Sequence, residues 1–289
     1  ILYIMTPGTW ESVVDRLRKD NIHGAAYLAK QASGALASLP EVEDVANLAR
    51  ALIGAQPAMA PIVNLANTLL YEHEKGESTS KTAQHYREFL DYSFERVVAL
   101  GEHRIRHGMN VLTLSYSSTV LEMLRTAHGK KHFNVVCCES RPAYEGLELA
   151  SELASAGIDT TVVADAALVN ELQQADIVLM GADAISSSGI VNKIGTRGVA
   201  IAAASYAIPV YVLCGSEKLV PIEYELETRV ERDPRELYDG KALFNVKNYY
   251  FESTPLSYID VIATESGWKR ESDIRDMLRT HHLHTDLLT

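Results

Sequence analysis

The residues best suited to chemistry follow short apolar runs in the second half of the chain. Arg141 and Lys218 can bind phosphate, the first through two parallel hydrogen bonds and the second as a point charge. Asp183 can act as a general acid or base, or can accept a hydrogen bond from a sugar hydroxyl. Each of these residues, taken singly, is better explained as part of a polar turn. As a set they predict one anion-binding cavity, in which the cations would keep Asp183 ionised.

Two predicted helix starts add anion-binding groups to this set. Ser117 and Ser118 open one helix, and Gly195 and Thr196 open another, directly after Asn192 and Lys193. The first N–H groups of a helix have no partner within the helix and lie at the positive end of its dipole. A phosphate group is therefore the expected ligand.

A parallel sheet is expected to position these residues. From residue 108 onward, short runs rich in β-branched residues alternate with helical stretches, a pattern typical of an α/β sheet. Ligands bind beyond the carboxyl ends of such strands, so the site is expected there. The predicted strands are residues 111–114, 134–138, 160–164, 177–180 and 209–213, and the predicted helices are residues 117–126, 144–156, 166–173 and 196–207.

The first hundred residues have helical periodicity instead. Apolar side chains at three- and four-residue spacing predict amphipathic helices. These stripes are Trp10, Val13, Val14 and Leu17; Val42, Val45, Ala49 and Leu52; and Ala83, Tyr86, Leu90 and Val97. The sequence therefore predicts a helical N-terminal domain over residues 1–107 and an α/β domain over residues 108–289.

Composition and charge argue against several classes of partner. The chain has 27 Lys and Arg against 38 Asp and Glu, a formal net charge of −11, so nucleic acid and anionic lipid are not expected to bind. Three cysteines in 289 residues fit a reducing compartment, and no apolar run is long enough to span a bilayer, so a cytoplasmic location is expected. No cofactor is expected. No metal is expected either, because His281, His282 and His284 lack partners at metal-ligand spacing and are predicted to be a solvated terminus.

Several segments in this order resemble one protein family. The chain is similar to the superfamily of the regulatory subunits of translation initiation factor 2B, which also contains ribose-1,5-bisphosphate isomerase and methylthioribose-1-phosphate isomerase. The resemblance spans about residues 10 to 275 and implies a helical N-terminal domain followed by a Rossmann-like domain that dimerises. The matching segments are Glu139-Ser140-Arg141-Pro142, Glu145-Gly146, Gly181-Ala182-Asp183, Asn192-Lys193-Ile194-Gly195-Thr196, Lys218, and residues 251–255 and 260–265.

The resemblance implies roles for individual residues. The isomerases of the family use a cysteine after the first strand of the α/β domain together with the aspartate of the Gly-Ala-Asp motif. Asp183 matches the aspartate, but Ser115 stands in place of the cysteine, and a hydroxyl ionises far less readily than a thiol. The isomerases also have Arg-Gly-Ala where this chain has His23, Gly24 and Ala25, so one phosphate contact is expected to be weaker. The other expected substrate-binding residues are Ser117, Arg141, Asn192, Lys193, Gly195, Thr196 and Lys218.

The sequence leaves several functions open. The first is a binding protein for a phosphorylated sugar or nucleotide, with lost or weak aldose-ketose isomerase activity because Ser115 replaces the thiol. Cys138, at the end of a predicted strand, is an alternative thiol, although such a cysteine is usually a small buried apolar residue. The other functions are a regulatory subunit acting through protein partners, an active sugar-1-phosphate isomerase using Asp183, and a family member with an empty pocket. The resemblance implies a homodimer or a higher homo-oligomer.

Overall fold

The N-terminal part of the protein is a bundle of helices. The structure is a computed structural model that describes residues 8–20, 24–226, 230–241 and 243–288. The helices of this part are α1 (Trp10–Lys19), α2 (Ala25–Ala37), α3 (Val45–Ala55), α4 (Ala60–Glu74) and α5 (Thr79–Glu102). The predicted apolar stripes are buried, with Trp10 only partly so. One detail is corrected, since Val42 is buried but precedes α3.

Local sequence sets the boundaries of these helices. The side chains of Asp44 and Ser78 accept hydrogen bonds from the backbone N–H groups of Asn47 and Lys81, which caps the starts of α3 and α5. Pro61 lies in the first turn of α4, where a missing N–H group costs nothing. The helices therefore begin where the sequence supplies a cap or tolerates a proline.

The second part of the protein is built on a sheet. Its strands are β1 (Asn110–Thr113), β2 (Asn134–Cys138), β3 (Asp159–Val163), β4 (Ile177–Met180), β5 (Ala184–Ser186), β6 (Gly189–Lys193), β7 (Val210–Leu213), β8 (Phe251–Thr254), β9 (Val261–Thr264) and β10 (Gly267–Lys269). Seven of the described strands form one sheet in the order β10-β9-β7-β4-β1-β2-β3. Only the β9–β10 pair is antiparallel. The predicted parallel sheet is confirmed, and each predicted strand lies within one residue of its expected bounds.

Helices connect the parallel strands. They are α6 (Ser118–His128), α7 (Glu145–Ser155), α8 (Leu168–Glu171) and α9 (Thr196–Ser205), and α10 (Glu271–Arg279) follows the last strand. The prediction of one helix over residues 166–173 was wrong in extent. Only α8 is α-helical there, and 3₁₀ turns at Asp165–Ala167 and Leu172–Gln174 flank it. None of the described helices is long and apolar enough to cross a membrane.

A second, antiparallel sheet of β5, β6 and β8 was missed by the sequence reasoning. It matters for the site because β5 begins directly after Asp183 and β6 ends at Lys193. The backbone N–H of Asp183 donates to the carbonyl of Val191 at 2.9 Å, which fixes the start of the β5–β6 hairpin. Gly189, with φ of 133°, allows β8 to approach, because a Cβ at this position would lie 2.1 Å from the carbonyl oxygen of Thr254.

The C-terminal segment packs back onto α4. The backbone N–H of His284 donates to Oδ1 of Asn67 at 2.7 Å, and Nε2 of His281 lies 2.8 Å from Oδ1 of Asn64. His284 is only 3% exposed, so the prediction of a solvated histidine terminus was wrong. The reason is that buried amides of α4 take their hydrogen-bond partners from this segment. The division into domains at residues 107 and 108 stays a prediction.

Candidate functional site

The loops that follow β1, β2 and β4 touch one another at the carboxyl edge of the sheet. The backbone N–H of Ser115, after β1, donates to Oγ of Ser140, after β2, at 2.8 Å. Gly181, after β4, lies against Ser117, since a Cβ on the glycine would be 2.6 Å from the serine Oγ. These strands are neighbours in the parallel sheet, so their polar ends necessarily converge.

Asp165 holds the loop that carries Arg141. Its carboxylate accepts hydrogen bonds from the backbone N–H groups of Ser140 and Arg141, at 2.7 and 2.8 Å. The guanidinium of Arg141 donates to the hydroxyl of Tyr144 at 2.7 Å and stacks over its ring. Among the described residues, it makes no hydrogen bond or ion pair with Asp183. The loop therefore reaches the edge of the sheet, while the guanidinium of Arg141 binds Tyr144, three residues further along the same loop.

Glu145 joins the serine after β1 to the lysine at the end of β6. Oγ of Ser115 donates to Oε1 of Glu145 at 3.1 Å, and Nζ of Lys193 lies 2.5 Å from the same oxygen. The Lys193 side chain is 3% exposed, and its ammonium also lies 4.8 Å from the centre of the Tyr250 ring. The other carboxylate oxygen of Glu145 is buried without a hydrogen-bond partner. This oxygen is a free acceptor inside the site.

Asp183 lies in the field of both lysines. Burial is the main influence on its carboxyl group and raises its pKa, the charge of Glu145 raises it further, and Lys218 and Lys193 lower it. Desolvation outweighs the two lysines, so the pKa is raised, and the expectation that the cations keep this carboxylate ionised stays a prediction. A raised pKa brings a carboxyl group closer to the range in which it can both give and take a proton.

Lys218 is a buried cation on the turn that follows β7. The residue is 7% exposed, and within the described ranges its ammonium forms no ion pair. The turn itself is held by Asn64 of α4, whose Nδ2 donates to the carbonyls of Glu217 and Leu219, each at 2.7 Å. A packed turn thus presents a positive charge that acts on Asp183 and Glu217 but, among the described residues, forms no ion pair with a carboxylate.

The polar groups around the start of α9 form hydrogen bonds mainly with other groups of the protein. Nδ2 of Asn192 donates to Oγ1 of Thr196 at 3.0 Å, and that hydroxyl donates to the carbonyl of Lys193 at 2.6 Å. The backbone N–H groups of Gly195 and Arg197 donate to one oxygen of Glu252, at 2.7 and 3.0 Å. The helix start predicted for phosphate is therefore occupied by a carboxylate of β8, and sequence reasoning missed that residue.

The other predicted binding residues serve as helix caps or lie outside the described residues. Ser117 caps α6, since its Oγ accepts a hydrogen bond from the backbone N–H of Val120 at 3.3 Å. Gly24 is the N-cap of α2, and Ala25 is its first, buried residue. No hydrogen bond joins these two to Asp183 or the lysines in the described part of the chain. His23 lies outside the described residues.

The cysteines, among them the alternative thiol Cys138, are all buried. Burial raises the pKa of Cys137 to about 12 and that of Cys138 to about 11. Burial raises the pKa of Cys214 as well. A thiol with such a pKa is protonated near neutrality and is a poor proton acceptor. Across the described residues, no group of three His, Cys, Asp or Glu side chains is arranged to hold a metal ion.

Fold and site together define the class of the protein. It is an α/β protein with a helical N-terminal region, and two buried lysines and a partly buried aspartate lie at the carboxyl edge of its parallel sheet. Residues 20–270 match the sequence profile of the Initiation factor 2 subunit family, and the chain belongs to this family.

Relatives in this family have two kinds of name. A putative translation initiation factor eIF-2B subunit 2-like protein of Pyrococcus horikoshii is 33% identical over 272 residues, covering 91% of this chain and 97% of the relative. A ribose 1,5-bisphosphate isomerase of Archaeoglobus fulgidus is 31% identical, covering 88% of this chain and 87% of the relative. The crystal structure of a Pyrococcus horikoshii translation initiation factor eIF-2B has a TM-score of 0.78 and 31% identity, covering 92% of this chain and 98% of that one.

Proposed function

We propose that this protein binds a phosphorylated sugar, or a nucleotide, at the carboxyl edge of its sheet. The observation that carries the proposal is the burial of Lys218 beside Asp183 without an ion pair in the described residues. A cation removed from water is costly unless an anion compensates it. A phosphate group would supply that charge, on a protein whose net charge of −11 gives it no general attraction for anions.

The carboxyl groups next to the lysines suit the hydroxyl groups of a sugar. The free oxygen of Glu145 can accept one hydrogen bond. Asp183 can accept a hydrogen bond when ionised and donate one when protonated. Arg141, on the loop beside the site, reaches a phosphate only by leaving Tyr144, so we assign it a secondary role.

Isomerase activity would be weak or absent in this site. Aldose-ketose isomerisation moves a proton between neighbouring carbons and needs two groups that exchange protons. Asp183 can be one of them. Ser115 is a poor second group, because a hydroxyl ionises far less readily than a thiol, and because the carboxylate that accepts its hydrogen bond, Glu145, is already paired with the Lys193 ammonium and is therefore a weak base. An active isomerase that relies on Asp183 alone is the alternative within this proposal.

A second candidate function is regulation through protein partners, as a cytoplasmic homo-oligomer. The relative named as a putative translation initiation factor subunit supports it, as does an exposed apolar pair. Leu243 is fully exposed and Phe244 is 61% exposed. Large apolar side chains in water often mark a contact surface. Replacing both by serine should reduce the mass of any oligomer in analytical ultracentrifugation, and an unchanged mass would argue against this surface.

Thermal melting with candidate ligands tests the binding proposal. The ligands are ribose 1,5-bisphosphate, methylthioribose 1-phosphate, fructose 6-phosphate and AMP. A ligand at one hundred times its dissociation constant stabilises a protein by about 2.7 kcal/mol, so the melting temperature should rise by several degrees. Lys218→Met should remove the rise, whereas Lys241→Met, at an exposed loop position, should keep it. No rise with any of the four would favour the partner hypothesis.

A further inference from the structure

A separate cavity of about 660 Å³ lies between the helical region and the C-terminal part of the chain. Helices α4 and α5 form one side, and α10 and the turn Ser216–Lys218 form the other. The turn separates this cavity from the edge site, because Glu217 lines the cavity while Lys218 acts on Asp183. The volume lies in the range of about 300–1,000 Å³ that is typical of small-molecule sites.

The cavity combines an apolar wall with a few polar groups. Tyr86, Phe89, Leu219 and Met277 contribute apolar surface, and Glu217 lies among them with 8% exposure. Such a lining suits a ligand with an apolar body and one polar or charged end. The described lining residues include no lysine or arginine.

Glu217 shares its hydrogen-bond donor with a second carboxylate. Oγ of Ser93 lies 3.0 Å from Oε2 of Glu217 and 3.3 Å from Oε2 of Glu265. One hydroxyl proton cannot serve both, and Glu265 already accepts hydrogen bonds from the N–H and Oγ of Ser216, at 2.9 and 2.7 Å. Burial raises the pKa of Glu217, with Lys218 opposing. A cation in the cavity would therefore stabilise the ionised form of the Glu217 carboxylate.

Besides Glu217 and Tyr86, the titratable groups of the described lining are Glu72, Glu77, His85 and His281, of which His281 and the two glutamates do not provide that cation. Nε2 of His281 lies 2.8 Å from Oδ1 of Asn64, and burial lowers the pKa of this histidine. Near the opening, Glu72 and Glu77 pair with Lys75 and Lys81, at 2.8 and 2.7 Å. The described lining thus holds three carboxylates and no lysine or arginine, and Glu217 is the buried one of the three.

We propose that this cavity binds a small organic cation, a protonated amine on an apolar body. The ammonium group pairs with Glu217, and the apolar body packs against Tyr86 and Phe89, whose ring faces also attract a cation. Neither an inorganic anion nor a neutral alcohol would compensate the negative charge of the Glu217 carboxylate. This inference does not depend on sugar-phosphate binding at the edge of the sheet.

Calorimetric titration with 2-phenylethylamine, without any phosphorylated compound, tests the proposal. Its neutral analogue 2-phenylethanol is the matched ligand. The amine should bind at least about tenfold more tightly than the alcohol, a difference of about 1.4 kcal/mol. Glu217→Gln keeps an acceptor for Ser93 and should abolish this preference, whereas Glu72→Gln, at the opening, should change it less than about threefold. Equal affinity for amine and alcohol, or an unchanged preference in Glu217→Gln, would overturn the proposal.

Methyl NMR of the native protein locates the ligand without any substitution. Met277 lines the cavity, whereas Met180 is fully buried at the end of β4. With labelled methionine methyl groups, the amine should shift the Met277 signal and leave the Met180 signal in place. A shift at Met180 without one at Met277 would place the amine elsewhere and refute the assignment, even if Glu217→Gln did not fold.

Discussion

Replacing Lys193 by methionine should reveal how the buried part of the edge site is held together. The Lys193 ammonium is 3% exposed and lies 2.5 Å from Oε1 of Glu145, whose side chain is 22% exposed. Methionine keeps much of the length of lysine but leaves a carboxylate whose second oxygen already has no partner. Removing one member of a buried ion pair costs about 3–5 kcal/mol. Because Glu145 retains some contact with water, we expect a loss near the lower end of this range, about 3 kcal/mol.

Urea denaturation at one fixed protein concentration measures this loss, since self-association would otherwise alter the apparent free energy of unfolding. The double variant Lys193→Met with Glu145→Gln removes both charges and should recover at least about 2 kcal/mol, as expected for coupled neighbours. Lys75→Met is the control, because Lys75 pairs with Glu72 on the surface, where a pair contributes less than about 1 kcal/mol. The reasoning fails if Lys193→Met costs no more than this control, or if the effects of the two site substitutions simply add.

Three further predictions concern the site and its frame. We expect negligible turnover of ribose 1,5-bisphosphate by the native protein and at least a roughly tenfold increase in Ser115→Cys, because a thiol exchanges protons closer to neutrality; rapid native turnover in an NMR assay would contradict this. Gly189→Ala should lose more than about 2 kcal/mol in urea denaturation, since φ is 133° and the new Cβ would overlap the carbonyl of Thr254. Gly54→Ala, which has open space in α3, should instead be neutral or stabilising by up to about 1 kcal/mol, and equal losses would refute the steric argument. The pKa of Asp183 is raised in the folded protein, so the native free energy of unfolding should fall relative to that of Asp183→Asn as the pH rises above 3.8, the ordinary value. Urea denaturation at about pH 4 and about pH 8 measures this difference, and a constant or opposite trend would contradict it.

The main sheet could be predicted because each of its central strands is a continuous apolar run. All four residues of Ile177–Met180 are buried, which is the pattern of a strand covered on both faces. The strands of the second sheet, β5, β6 and β8, have no such apolar pattern in the sequence. Ala184–Ser186 has only three residues, and its partner Gly189–Lys193 pairs in turn with Phe251–Thr254, some sixty residues later. Pairing over that distance depends on tertiary packing, which local periodicity does not report.

The site could be predicted in part. Asp183 and Lys193 were located from strand ends and motif order, but the two carboxylates that organise their surroundings were not. Glu145 is the first residue of α7, where an acidic residue is ordinary because it favours the helix dipole. Glu252 reaches the start of α9 from a strand 57 residues beyond Gly195. The burial that raises the pKa of Asp183 could not be predicted either, because it depends on how deeply the folded chain covers the carboxyl group.

The buried amides of α4 have a consequence for how the protein folds during its synthesis. Nδ2 of Asn67 donates to the carbonyl of His282 at 2.9 Å, across a separation of 215 residues. A ribosome adds about 5–20 residues per second, so roughly 10–40 s pass between the synthesis of these two partners. Throughout that interval α4 must keep the amide in water or bind it to a substitute. Helix α4 is thus synthesised well before the segment around His282, and it reaches its final packing only when that segment emerges.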